Sequence, residues 1–289
     1  MRRLLALTAL ACLGLACADP AMARPPVWVV KDADSEMVLF GSVHVLPPGL
    51  DWNPPALSRA LARADDLWFE LPAGPGADQE SARLAGEKGV LPPDRSLFRI
   101  LAPDDAARLV RVAEAYGVDK TVLDRLEPWL AELALAGAAY RRAGAGVANG
   151  VEAAVEAAAP PAAERRAFET PAQQLAVFDE APLEAQIASL RVTMTEMEDD
   201  PAAFETLVRA WADGDLGVLE RKALRPLRQA SPLLFRRLVD ERNARWAAML
   251  DARLKGAGRT VVVVGMGHLI GEGGLPARLR ALGYSVEGP

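Results

Sequence analysis

The sequence predicts an α/β protein in which two pseudo-symmetric strand–Gly-x-x-His–helix–strand halves form one sheet around a large helical insertion. Three observations carry this. Short runs rich in β-branched and aromatic residues fall only near the ends of the chain, at residues 27–30, 37–40, 67–69 and 260–264. Between about residues 77 and 256 Ala, Leu, Arg and Glu dominate, with apolar positions at helical spacing. Gly41-Ser42-Val43-His44 and Gly265-Met266-Gly267-His268 each follow one of the terminal runs, and these two histidines are the only ones among 289 residues.

The first element is an export signal over residues 1–23. Met1-Arg2-Arg3 is basic, residues 4–15 are apolar, and Ala21-Met22-Ala23 has the small-x-small pattern of a cleavage site. The mature chain is therefore expected to start at Arg24, and the protein to be periplasmic or secreted. The apolar run is shorter than the ~20 residues that span a bilayer, and no later stretch qualifies. Gly14-Leu15-Ala16-Cys17 offers a competing lipoprotein reading, with Gly14 where such boxes usually carry Leu. Cys12 and Cys17 are the only cysteines, so the mature chain can build neither a disulfide nor a thiolate zinc site. Cleavage takes the net charge from −6 to −7 by removing two arginines and one aspartate. That balance lacks the basic footprint nucleic acid requires.

Residues 24–76 make the first half. Val27-Trp28-Val29-Val30 and Met37-Val38-Leu39-Phe40, separated by Asp32-Ala33-Asp34-Ser35, predict a hairpin. Residues 54–64 predict a helix with Leu57 and Leu61 on one face. Asp65 and Asp66 end that helix and start the strand Leu67-Trp68-Phe69, which closes at Glu70 before Pro72 and Gly74-Pro75-Gly76. Residues 77–256 predict helices broken at Pro92-Pro93, Gly144-Ala145-Gly146 and Pro160-Pro161, with no clear strand. Residues 257–289 repeat the opening unit: a strand to Val264, Gly265, a helix over 275–282 and a strand over 284–287. The insertion's flanks are the two halves of one sheet, so residues 24–289 are expected to form a single domain with the insertion as a cap.

In a β-α-β unit, ligands sit beyond the carboxyl ends of the strands. A glycine just after a strand allows left-handed or closely approaching backbone and lets a residue three positions on turn back over the strand end. Two neutral imidazoles and one carboxylate make a three-ligand metal site with a position open for water, and Glu70 is the best-placed acid. The plainer alternative makes each histidine a hydrogen-bonded turn residue. Arg242 and Asn243, within Glu241-Arg242-Asn243-Ala244-Arg245-Trp246, could reach the sheet edge and hold an oxyanion, since Asn in a helix interior calls for a partner. The plainer alternative there is a solvated helix with Glu241 paired to Arg245. Gly271-Glu272-Gly273-Gly274 lacks the Lys-Ser/Thr of a phosphate loop and predicts flexible backbone beside His268, with Glu272 a conceivable fourth ligand.

Five ordered segments resemble the TraB/GumN family, which is related to the Tiki Wnt-cleaving metalloproteases. They are Gly41-Ser42-Val43-His44-Val45-Leu46-Pro47, Trp68-Phe69-Glu70-Leu71-Pro72, Glu169-Thr170-Pro171-Ala172-Gln173-Gln174-Leu175, Glu241-Arg242-Asn243 and Gly265-Met266-Gly267-His268-Leu269. The resemblance implies a two-lobed α/β domain with a metal-dependent peptidase site. By position His44, His268 and Glu70 would bind the metal, with Glu70, Arg242 and Asn243 as the catalytic candidates. Leu71-Pro72-Ala73-Gly74 lacks the Arg that often follows the acid in the TraB branch, so the GumN-like branch fits better. The expectation is an exported hydrolase using a divalent ion, Mn, Co, Zn or Fe, on a peptide or polypeptide. A non-enzymatic polypeptide-binding protein of the envelope and a small-molecule esterase stand as alternatives.

Overall fold

The computed structural model describes residues 24–289; the export signal and Cys17 lie outside the described residues. Six strands, β1 Val27–Lys31, β2 Ser35–Ser42, β3 Asp66–Phe69, β4 Glu164–Ala167, β5 Gly258–Gly265 and β6 Ser285–Glu287, form one mixed sheet. Their order is β4-β3-β5-β2-β1-β6. β4, β3, β5 and β2 run parallel, while β1 lies antiparallel to both β2 and β6. The chain is thus α/β, as the sequence predicts.

The β1–β2 hairpin is fixed by its turn. Asp32 Oδ1 accepts from the backbone N–H of Asp34 at 3.1 Å and of Ser35 at 2.8 Å, a side-chain-closed turn that sets the register Lys31↔Glu36. Val261, Val262, Val263 and Val264 in β5 are all buried, the mark of a central parallel strand covered on both faces. The β2–β5 register sets Ser42 beside Gly265, so the two strands end level and both Gly-x-x-His turns leave from the same edge.

Two features depart from the sequence expectation. β4 is a strand inside the helical segment, invisible in Glu164-Arg165-Arg166-Ala167 because that run has no apolar alternation; backbone pairing to β3 makes it a strand. The closing strands of the two terminal units also take unlike places. β3 is buried between β5 and β4, whereas β6 is a three-residue strand at the far edge beyond β1.

The main core lies on the sheet, with Trp28, Phe40, Leu67, Trp211, Trp246 and Val262 among its buried members. Helices Val151–Ala158, Ala203–Asp213 and Glu241–Leu254 contribute to it. A second core, including Leu97, Leu109, Leu135, Leu190 and Met194, forms among helices Pro103–Tyr116, Pro128–Arg142 and Leu183–Asp199. The helical segment therefore divides: part builds a core of its own, and part packs on the sheet.

Asp66 locks the sheet to the helix above it. It is buried and accepts from Thr260 Oγ1 at 2.7 Å, Trp68 Nε1 at 2.8 Å, and Arg253 Nε at 2.8 Å and Nη2 at 3.0 Å. Burial opposes its charge, but the Arg253, Trp68 and Thr260 bonds prevail and hold the carboxyl below its ordinary value. Asp66→Ala is expected to lower stability by about 3 kcal/mol, because Arg253 and Thr260 lose their partner in a mostly dry site. Urea unfolding checks this; a loss below about 1 kcal/mol would show that water replaces the carboxylate at little cost.

Candidate functional site

His44, Glu70 and His268 follow the carboxyl ends of β2, β3 and β5 and meet around Gly265. The Gly265 N–H donates to Glu70 Oε1 at 2.7 Å. A Cβ on Gly265 would stand 3.1 Å from Glu70 Oε1, 3.7 Å from His44 Nε2 and 3.8 Å from His268 Cδ2. The glycine is needed for this close approach; neither Gly41 nor Gly265 has a positive φ, so the left-handed geometry is not what these motifs use.

The helix Glu241–Leu254 buries Arg242, Asn243, Trp246 and Leu250 on one face. Asn243 Nδ2 donates to the carbonyls of His268 at 3.2 Å and Gly273 at 2.9 Å, which turns its Oδ1 to His268 Nδ1 at 2.7 Å. Nδ1 must then carry the proton, and Nε2 holds the lone pair. That Nε2 is 3.1 Å from Arg242 Nη1 and 3.8 Å from Glu70 Oε1. Burial of the ring, with Arg242 beside it, outweighs the pull of Glu70 and pushes His268 down to about 4.

His44 is oriented in the same way by a different partner, since its Nδ1 lies 2.7 Å from Glu152 Oε1. Desolvation works against a charged ring, but Glu152 and then Glu70 outweigh it and raise His44 above its ordinary value. With 61% of the side chain accessible, water screens that pair. Glu152 reaches His44 because the chain passes very close at Gly150, where a Cβ would collide with the His44 carbonyl oxygen.

Arg242 bridges two buried carboxylates. Its Nη2 donates to Glu70 Oε2 at 2.7 Å and lies 2.9 Å from Glu169 Oε2, and its Nε donates to Glu169 at 3.0 and 3.1 Å. The guanidinium also lies 4.5 Å from the Trp246 ring centroid. Glu70 Oε2 accepts a further bond from Gln174 Nε2 at 3.1 Å. Burial opposes the Glu70 charge, while His268, Arg242, His44 and the Gly265 N–H favour it, and the carboxyl is held down at about 2.

His44, Glu70, Arg242, Asn243 and His268 thus converge here, along with three residues not among the site candidates: Glu152, Glu169 and Gln174. Glu169 and Gln174 carried a readable sign. Thr170 and Gln173 form a capping box, with Thr170 Oγ1 accepting from Gln173 N at 3.2 Å and Gln173 Oε1 accepting from Thr170 N at 2.9 Å. That box fixes the start of the helix Pro171–Asp179 between the two residues. Glu152 had no such local sign. The Glu241–Arg245 pairing does not form: Arg245 donates to Glu169 at 2.9 Å and Glu241 lies 3.5 Å from Arg236. The Gly271–Gly274 run is pinned rather than loose, since Asn243 and Arg278 both donate to the Gly273 carbonyl at 2.9 Å; Glu272 is exposed.

Two cavities meet at His44. One, of about 290 Å³, is lined by Ser42, Phe204, Trp211, Leu224 and Met266; the other, of about 400 Å³, by Glu70, Pro72, Asp78, Glu152 and Gln174. The model of the TraB/PrgY/gumN family matches residues 26–288, which takes in both the sheet and the helical segment. The chain belongs to the TraB/PrgY/gumN family. No curated protein and no solved structure matches it.

Among the described residues, no three His, Cys, Asp or Glu side chains stand together as a metal-holding group. The donor chemistry of this TraB/PrgY/gumN site nonetheless suits a cation. Both imidazoles set Nδ1 against a fixed acceptor, an arrangement that tunes ligating histidines; His268 keeps Nε2 as a lone pair 3.8 Å from Glu70 Oε1, whereas His44, raised by Glu152, would release its Nε2 proton to a metal. Only Arg242 Nη1 competes, since it occupies His268 Nε2.

Proposed function

We propose that this TraB/PrgY/gumN protein is an exported hydrolase of peptide bonds, of the GumN-like branch and related to the Tiki metalloproteases, with a divalent metal held by His44, His268 and Glu70. The observation that carries it is that both rings are held through Nδ1, which brings two Nε2 atoms and a carboxylate oxygen around one glycine; His44 would release its Nε2 proton as the metal binds. When bound, such an ion polarises a carbonyl and provides a water that ionises near neutral pH. Asn243 and Glu152 are positioning residues that hold the two rings. Glu70, ionised well below neutral pH, accepts a proton from the attacking water. Arg242 keeps Glu70 in place through Nη2, and its Nη1 faces the imidazole, where it can meet charge developing on a substrate oxygen. Residues 21–23 support export, and the two cavities give an extended substrate room on either side of His44.

The Arg242 Nη1 contact with His268 Nε2 favours a second reading, a metal-free esterase in which the accessible His44, backed by Glu152, is the general base on the alkaline side of neutrality, where its raised ring loses its proton. Metal content separates the two. The mature chain is expected to take up one equivalent of Mn, Co, Zn or Fe at near-neutral pH under anaerobic conditions, seen by elemental analysis and calorimetry. Uptake of none of the four would overturn the metallopeptidase. Ester turnover by that metal-free protein would establish the esterase, and absence of all turnover would leave a polypeptide-binding protein of the envelope.

A further inference from the structure

We infer that the 290 Å³ cavity beside His44 is a specificity pocket for one apolar side chain of an extended polypeptide, seated next to the bond to be cut. This rests on the peptidase reading above. The cavity opens at the two strand ends that carry the Gly-x-x-His turns, and its lining includes Val43, Leu207, Trp211, Leu224, Met266 and Ile270. No Asp, Glu, Lys or Arg lines it. A charged side chain entering there would lose water without gaining a partner, whereas an apolar one gains burial. Its volume is at the lower end of ligand pockets, room for one side chain rather than a whole drug-sized molecule.

One further observation points to a polypeptide: the cavity is the middle one of three. It shares His44 with the cavity of Glu70 and Glu152, and it shares Tyr140, Phe204 and Leu207 with a third that runs past Tyr116 and Leu133. The Tyr140 and Phe204 rings, 4.8 Å apart, form the wall between the last two. A chain of cavities that continues on both sides of the pocket suits an extended polymer.

The test uses the mature Glu70→Gln chain, to prevent turnover, and acetylated pentaalanine amide with Leu, Phe or Lys at its centre, titrated by calorimetry. Leu and Phe should tighten binding roughly 10- to 100-fold over the all-alanine peptide, and Lys should not. Ala223 is exposed and lines the cavity, so Ala223→Trp should fill it without disturbing the fold and erase the gain. A more conservative Ala223→Leu should reduce it. Equal affinities, binding of none of the peptides, or a gain that survives Ala223→Trp would each overturn the pocket. Hexanoate binding as tightly as the Leu peptide, with the same sensitivity to Ala223→Trp, would reassign it to an acyl chain. Wild-type cleavage of the same peptides is read separately: selectivity without cleavage overturns the peptidase and keeps the pocket, and cleavage without selectivity does the reverse.

Discussion

Replacing Arg242 by methionine is expected to destabilise the protein by about 3–5 kcal/mol, the cost of breaking a buried ion pair from one side. The side chains of Arg242, Glu70 and Glu169 are only 5%, 9% and 2% accessible, so neither carboxylate can turn to bulk water for a substitute. Lysine should not rescue the loss, because its donors sit on one nitrogen and cannot match the planar guanidinium, which reaches Glu169 through Nε and Glu70 through Nη2. Chemical denaturation of the metal-free chain reads the effect. A double variant with Glu70→Gln should recover part of it, since Glu70 is the carboxylate left without an arginine, whereas Glu169 keeps Arg245 at 2.9 Å. A loss under about 1 kcal/mol would mean that the carboxylates take up protons instead of standing ionised in the fold.

The same network sets an acid limit on stability in the metal-free chain. His268 has a folded value of about 4, below its ordinary 6.5, so the unfolded chain binds the extra proton first and stability falls as pH drops from 6.5 towards 4. Glu70 has a folded value of about 2, below its ordinary 4.5, and its contribution is lost as pH falls from 4.5 towards 2. The two windows join into one continuous acid-side decline. His44 has the opposite sign: raised when folded, it stabilises below its ordinary value and that part is lost as pH rises above it.

Strand ends and turns were legible in the sequence because each has a local cause. The valine run of β5, the Asp32 turn, and the Pro72 stop after Glu70 are written in consecutive residues, and the level ending of β2 and β5 follows once both histidine turns are placed at strand ends. β4 was not legible, since its strand character comes from pairing to β3 rather than from its own side chains. The site divides along the same line. His44, Glu70 and His268 are marked by punctuation in their own segments. Glu152 and Glu169 lie 108 and 73 residues from the partners they hold, His44 and Arg242, and only the folded chain makes those pairs. Asn243 was noticed because an amide is out of place inside a helix, and the structure supplies the reason: it fixes the His268 tautomer and ties down Gly273.

His44→Ala, His268→Ala and Glu70→Gln should each abolish hydrolysis and lower metal affinity by more than the roughly 10–100-fold typical of losing an outer partner of a metal ligand. Asn243→Ala and Glu152→Gln should fall within that 10–100-fold range, because the rings remain and only their orientation and basicity change. This ordering is what separates ligands from positioning residues. In the metal-free esterase, His44→Ala would still abolish turnover, yet His268→Ala would act through Arg242 and Glu70, and added metal would change neither rate. The decisive readout is therefore paired, metal titration and hydrolysis on each variant, with near-native unfolding required of each. His268→Ala that keeps full metal uptake would remove His268 from the ligand set, and unchanged turnover in Glu70→Gln would remove the proton acceptor on which the mechanism rests.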